Sequence, residues 1–154
     1  MNSGTQLLLP LAPPDLLIRL GLALLFGAVI GWERESRDKP AGLRTHMLVS
    51  FGSALFVLSS IQTGAVEQSA DVLSRVIQGV ASGVGFLGAG EIVQQSRSES
   101  DRIRIRGLTS AAAIWTSAAL GVVAACGLWQ IGLIACIVTV AILLVFRLLE
   151  KSVS

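Results

Sequence analysis

Glu33 and Glu35 flank Arg34, and a short polar stretch separates them from Gly42-Leu43-Arg44-Thr45-His46. A further carboxylate, Glu91, closes the run GVASGVGFLGAGE (79–91), and Thr109 and Ser110 open another apolar block. Carboxylates suit a hard divalent cation. Mg²⁺ takes oxygen ligands and keeps several waters, which makes Glu33 and Glu91 the candidate metal ligands. Arg44 beside the free amides of a helix N-terminus suits the opposite charge, a phosphate or a carboxylate. Thr45 is placed to cap the helix it opens, its hydroxyl accepting from an orphan N–H, with Arg44 just outside. His46 titrates near neutrality when unperturbed, so it is a candidate pH-sensitive element. Each residue also has a structural reading. Glu33, Glu35 and Arg44 would form a salt-bridged belt, Glu91 would pair with Arg44, His46 or Arg106 to fix loop geometry, and His46 would serve as a hydrogen-bonder.

The sequence contains no nucleophile-and-base set, no Cys/His metal cluster, no phosphate loop and no dinucleotide fingerprint, so no enzyme is expected. Cys126 and Cys136 fall in apolar blocks and read as small packing residues. The stretch RIRIR (102–106) lies beside an apolar block and reads as an anionic-lipid contact, not a nucleic-acid site.

The elements that position these residues follow from composition. Over 154 residues the chain is 53% hydrophobic and 14% charged, with a mean hydropathy of +0.73. A soluble domain is about 25% charged. The apolar residues come in blocks long enough to span a bilayer, so the lipid bilayer is the main solvent. Five spans are predicted, at 16–32, 45–61, 72–93, 107–126 and 128–149, forming an all-α integral membrane bundle. The last two are separated only by the surroundings of Gly127 and should make a tight helical hairpin. No Lys or Arg precedes the first apolar run, and prolines at 10, 13 and 14 interrupt it, so a cleaved signal is not expected.

Basic residues sort by loop. Arg34, Arg37, Lys39 and Arg44 lie between spans one and two, Arg97, Arg102, Arg104 and Arg106 between three and four, and Arg147 and Lys151 at the end. The positive-inside rule then puts the N-terminus outside and the C-terminus in the cytoplasm. Residues 1–14 become an external segment, 15–149 the membrane domain and 150–154 a cytoplasmic tail. Glu33, Glu35, Arg44, His46, Glu91, Thr109 and Ser110 fall at inner helix ends. Asp15 and Arg19, four apart with the acid first, fall at the outer face as a helix-end anchor.

Gly79, Gly83, Gly85, Gly88 and Gly90 crowd the third span, and Gly27 and Gly31 repeat the spacing in the first. Within a bilayer, hydrophobic burial does little to join helices, so glycines at i and i+4 act by letting backbones approach. One reading is a tight bundle. The other is a broken third helix whose freed backbone lines an ion site.

Three stretches, GAVIGWERESRDKPAGLRTHMLVSFGSALF (27–56), RVIQGVASGVGFLGAGEIV (75–93) and IRGLTSAAAIWTSAALGVVAACG (105–127), together resemble the MgtC/SapB family. The resemblance covers about residues 15–127, and its motifs ERE, GLRTH, GFLGAG and GLTSAA keep their order. It implies a multi-span protein of the bacterial inner membrane linked to magnesium limitation and survival inside host phagocytes. Glu91 departs from the family pattern, and the chain ends after the last span, so functions needing the soluble C-terminal domain of longer members are not expected. The function expected is a regulator that packs its glycine face against a second copy (a homo-oligomer) or another membrane protein. The alternative is a small Mg²⁺ transporter or ion sensor using Glu33, Arg44, His46 and Glu91.

Overall fold

The computed structural model describes residues 10–96 and 105–153, with side chains described as far as 145 apart from that of Ala70. Residues 1–9, the arginines at 97, 102 and 104 and most of RIRIR lie outside the described residues, as do the side chains of Arg147 and Lys151.

Among the described residues the chain is all helical: α1 (Pro13–Glu35), α2 (Leu43–Gln62), the one-turn α3 (Ala65–Gln68), α4 (Ala70–Ser96), α5 (Leu108–Ala125) and α6 (Trp129–Val153). Helices α1, α2, α4 and α5 are long and apolar enough to cross a membrane, and α6 contributes the apolar stretch Trp129–Val145. Without water to accept backbone hydrogen bonds, a spanning segment must satisfy its own, which favours helix even in glycine-rich sequence. Accordingly α4 runs unbroken through all five of its glycines, so the alternative of a broken third span is set aside.

Sequence punctuation sets the helix ends. Pro13 and Pro14 occupy the first turn of α1, where a missing N–H costs nothing, and Asp15 complements the positive end of the helix dipole. The α5–α6 hairpin turns at Gly127, whose φ of 75° is left-handed. Its N–H returns to the Ala124 carbonyl (3.0 Å) and that of Leu128 to Val123 (3.1 Å), two orphan carbonyls satisfied in a Schellman pattern.

Helix α5 is the centre of the bundle, touching α1, α2, α4 and α6. Half of its apolar window is buried inside the chain (50%), against 11% for α4. The main core joins Ala23, Phe26 and Ile30 of α1, Val57 and Ile61 of α2, and Leu120 and Ala124 of α5. A smaller cluster holds α4 to α5 through Val80, Val84, Ile114 and Ala118. There is no direct contact between α1 and α4 among the described residues.

Candidate functional site

The polar chemistry concentrates where α1 ends and α2 and α5 begin, hereafter the basic end. Glu33 and Arg34 are both buried there, at 7% and 4% exposure. Each carboxylate oxygen of Glu33 faces an arginine: Oε2 lies 3.5 Å from Arg34 Nη1, and Oε1 pairs with Arg37 one helical turn on. Arg34 continues to the next helix, its Nη2 donating to Ser110 Oγ at 3.3 Å. Glu33, Arg34, Arg37 and Ser110 thus tie α1 to the first turn of α5. Because α1 ends at this point, the chain leaves through Asp38 in a left-handed conformation (φ 52°), with the Lys39 N–H returning to the Arg34 carbonyl at 3.2 Å. An Asx residue tolerates that region better than most non-glycines.

Glu35 has a different task. Its Oε2 accepts the Leu43 N–H at 2.8 Å and so caps α2 from eight residues upstream. The N-cap position belongs to Gly42, where any side chain would strike the Glu35 carboxylate. The expectation that Thr45 caps α2 is therefore corrected. Thr45 is already the third residue of the helix, and Arg44 belongs to the helix as well, exposed on its surface. A remote carboxylate takes the role because Gly42 has no side chain to offer.

His46 is fully buried (0% exposed) between α1 and α5. Its Nδ1 is 2.8 Å from Ser117 Oγ. One turn deeper on α2, Ser50 donates to the Ala23 carbonyl of α1 at 2.7 Å. Glycine makes room for this seam. A Cβ at Gly27 would sit 2.6 Å from the His46 carbonyl oxygen, one at Gly31 would sit 2.7 Å from Leu43 Cα, and one at Gly121 would collide with the Ser50 carbonyl. The α1 pair thus acts as the close-approach groove its spacing suggests.

Glu91 stands apart. It is half-buried on α4, and its Oε1 accepts from Gln95 Nε2 at 2.6 Å. It forms no ion pair among the described residues. The expected convergence of Glu33, Arg44, His46 and Glu91 is replaced by separate attachments: Glu33 to arginines, His46 to Ser117, Glu91 to Gln95, with Arg44 exposed. As a Mg²⁺ site the donors do not fit. Both Glu33 oxygens are engaged by cations, Glu91 rides on a helix that does not touch α1, and no group of three His, Cys, Asp or Glu gathers among the described residues. Thr109 is exposed beside the buried Ser110. At the opposite end Asp15 is exposed, while Arg19 is buried and donates from Nη1 to the Ala125 carbonyl at 2.6 Å. Arg19 thereby closes the C-terminus of α5, where a cation is favoured.

The glycines of α4 behave differently from those of α1. Gly79, Gly83, Gly85 and Gly90 have nothing within 4 Å of a Cβ position, and Gly88 alone makes ordinary contact, with Ala111. Val80, Val84 and Gly88, spaced by four, form the buried stripe. Gly79 and Gly83, together with Gly52, Ser53 and Phe56 of α2, line an open apolar groove of about 890 Å³ between α2 and α4.

A profile described as the MgtC family matches residues 20–152. The chain belongs to the MgtC family. It is a multi-pass membrane protein of that family, and relatives bear this out. Protein SrpB of Synechococcus elongatus is 52% identical over 137 residues, 86% of this chain and 75% of SrpB. The putative magnesium transporter YhiD of Escherichia coli is 40% identical over 147 residues, 90% of this chain and 66% of YhiD. Protein MgtC of Salmonella typhimurium is 44% identical over 114 residues, 74% of this chain but 44% of MgtC. No solved structure matches the chain.

Several residues that build the basic end and the seam below it were not candidates on sequence. Arg37 carried a signal, being one helical turn after Glu33. Ser50, Ser117 and Gly121 carried none, because their partners come from other helices.

Proposed function

We propose that this chain is a regulatory protein of the bacterial inner membrane, not an enzyme, and that it works by seating a helix of a second copy or of another membrane protein against α4. The observation that carries this reading is the unfilled glycine face: Gly52, Gly79 and Gly83 border a groove that no described residue occupies. Gln78 and Ser82 of α4, each preceding one of these glycines in sequence, are exposed within the apolar span. A polar side chain facing hydrocarbon is costly, and small residues are what permit a second backbone to approach closely. The basic end would face the cytoplasm, the side that Arg34, Arg37, Lys39, Arg44 and Arg106 favour by the positive-inside rule, and the setting would involve magnesium, the ion in the name of YhiD.

The test is Gly79→Leu and Gly83→Leu in a strain whose growth on low magnesium depends on this protein. Both positions are open in the chain, so the variants should reach the membrane at normal levels and fail to restore growth. Full restoration by either variant, at matched expression, rejects the reading.

Cation handling is the second reading, supported by the name of YhiD and by Glu91, a half-buried carboxylate whose side-chain partner among the described residues is the Gln95 amide. Equal Mg²⁺ binding by the purified protein and by Glu91→Gln, or binding by neither, would reject it.

A further inference from the structure

A second cavity, at the basic end, has the opposite character to the apolar groove. It measures about 350 Å³, within the ~300–1,000 Å³ range of small-molecule sites. It lies where the turn after α1, the last turn of α4 and the first turn of α5 meet. Arg34, Lys39 and Arg106 line it with Gln95, Thr109 and Ser110, and no carboxylate lines it among the described residues.

Two independent features of this cavity favour an anion. The first is the start of α5. Gly107 holds the N-cap position in a left-handed conformation (φ 88°) and supplies no side-chain cap. The N–H groups of Leu108, Thr109 and Ser110 have no backbone acceptor among the described residues; the first bond, from Ala111, goes to the Gly107 carbonyl. A helix N-terminus in this state presents oriented donors and a partial positive charge. The second feature is Arg34, at 4% exposure. Its two Nη atoms go to Glu33 and Ser110, and its Nε is buried without a hydrogen-bond partner. Held by these two partners, the guanidinium lines the cavity as a fixed cation, and arginine is the side chain best matched to a phosphate.

Two carboxylates near the cavity, among the described residues, are already occupied. Glu33 lies behind Arg34 with its other oxygen on Arg37, and Glu91 is held by Gln95. The cavity therefore collects three cationic side chains and uncapped amides, with the Ser110 and Thr109 hydroxyls as adaptable donors.

We propose that this cavity binds a phosphate group, carried either by an anionic lipid headgroup or by a soluble phosphate. The site uses none of the α4 glycines, so it stands or falls independently of the helix-contact reading. Its position at the end of the membrane helices, next to basic loop residues, places it at headgroup level, where clustered Lys and Arg recognise anionic lipids.

The experiment uses the full chain purified in detergent. Inorganic phosphate is titrated calorimetrically, and bound lipid is counted by native mass spectrometry after adding phosphatidylglycerol or phosphatidylcholine. Lys39→Gln/Arg106→Gln removes two exposed cations from the cavity. Arg44→Gln removes one from the same end of the bundle but outside the cavity. Arg34→Lys keeps the charge and loses the fork, and a thermal melt of each variant checks that it is folded. The expected result is at least a ten-fold loss of affinity in the double variant, a smaller loss for Arg34→Lys, and no change for Arg44→Gln. Phosphate binding identifies a soluble anion as the source, and preference for phosphatidylglycerol over phosphatidylcholine identifies lipid; either supports the site. Binding of neither probe, an unchanged double variant, or an equal loss in Arg44→Gln overturns it.

Discussion

Gly27, Gly31 and Gly121 sit against the backbone of a neighbouring helix, whereas Gly79 and Gly83, in the same i,i+4 spacing as the α1 pair, sit against nothing among the described residues. The difference lies in what surrounds each pair. In α1, Gly27 and Gly31 share a face with the core residues Ala23 and Ile30, so the stripe that carries glycine also drives packing. In α4 the stripe that packs is Val80, Val84 and Gly88, and Gly79 and Gly83 lie to its side, toward the groove. A glycine pair therefore marks a place where a backbone can approach. Whether the approaching backbone belongs to the same chain depends on the neighbouring residues on that face.

The comparison is most easily broken at Gly121. Gly121→Ala puts a methyl group into the Ser50 carbonyl, and neither backbone can give without separating α2 from α5. The expected loss is at or above about 3 kcal/mol, the upper end for overpacked cores, visible as loss of folded protein in size-exclusion chromatography. Gly27→Ala should follow the same course. A melting temperature equal to that of the unmodified protein for both would show that the seam is looser than its distances indicate.

The His46–Ser117 link comes next. Ser117→Ala removes the buried partner of Nδ1 and should cost about 1–3 kcal/mol. Because the two side chains share one interaction, His46→Leu/Ser117→Ala should cost less than the sum of its single changes, as a double-mutant cycle of thermal melts would show. Additive costs would mean that the two groups stabilise the seam separately.

Glu35→Ala deprives Leu43 of its capping acceptor and should cost about 1 kcal/mol, the usual value of a lost cap. Thr45→Ala, inside the helix, should cost less; the reverse order would restore Thr45 as the cap. The smallest change, and one of opposite sign, is expected on the open face. Gly83→Ala meets no neighbour and should stabilise the isolated chain by up to about 1 kcal/mol through helix propensity alone. Loss of stability there in a monomeric preparation would mean that the α4 face is closed within one chain.

Local features were readable in advance. The apolar blocks gave the helices, Gly127 gave the hairpin, and Gly27 with Gly31 gave a close-approach groove. The candidate site was read only in part. Glu33, Glu35, His46 and Ser110 are all engaged at the basic end, but Glu35 turned out to be the cap and Thr45 not, since the acceptor for Leu43 comes from another helix. Arg34 and Arg37 were read as charges that orient the chain, because nothing in a linear pattern shows that a loop-side arginine is buried against Ser110.

Composition and spacing by themselves determined that this chain is a helical membrane protein and which motifs mark its family, because a bilayer forces each segment to satisfy its own backbone and leaves hydropathy to mark it. Only the tertiary structure decided which polar groups meet. Helix α5, placed between α1 and α4, keeps Glu33 and Glu91 apart, draws Ser110 to Arg34 and Ser117 to His46, and leaves the glycine face of α4 open to a neighbour. Those pairings join residues far apart in the chain, and helix packing, which fixes them, has no counterpart in local sequence.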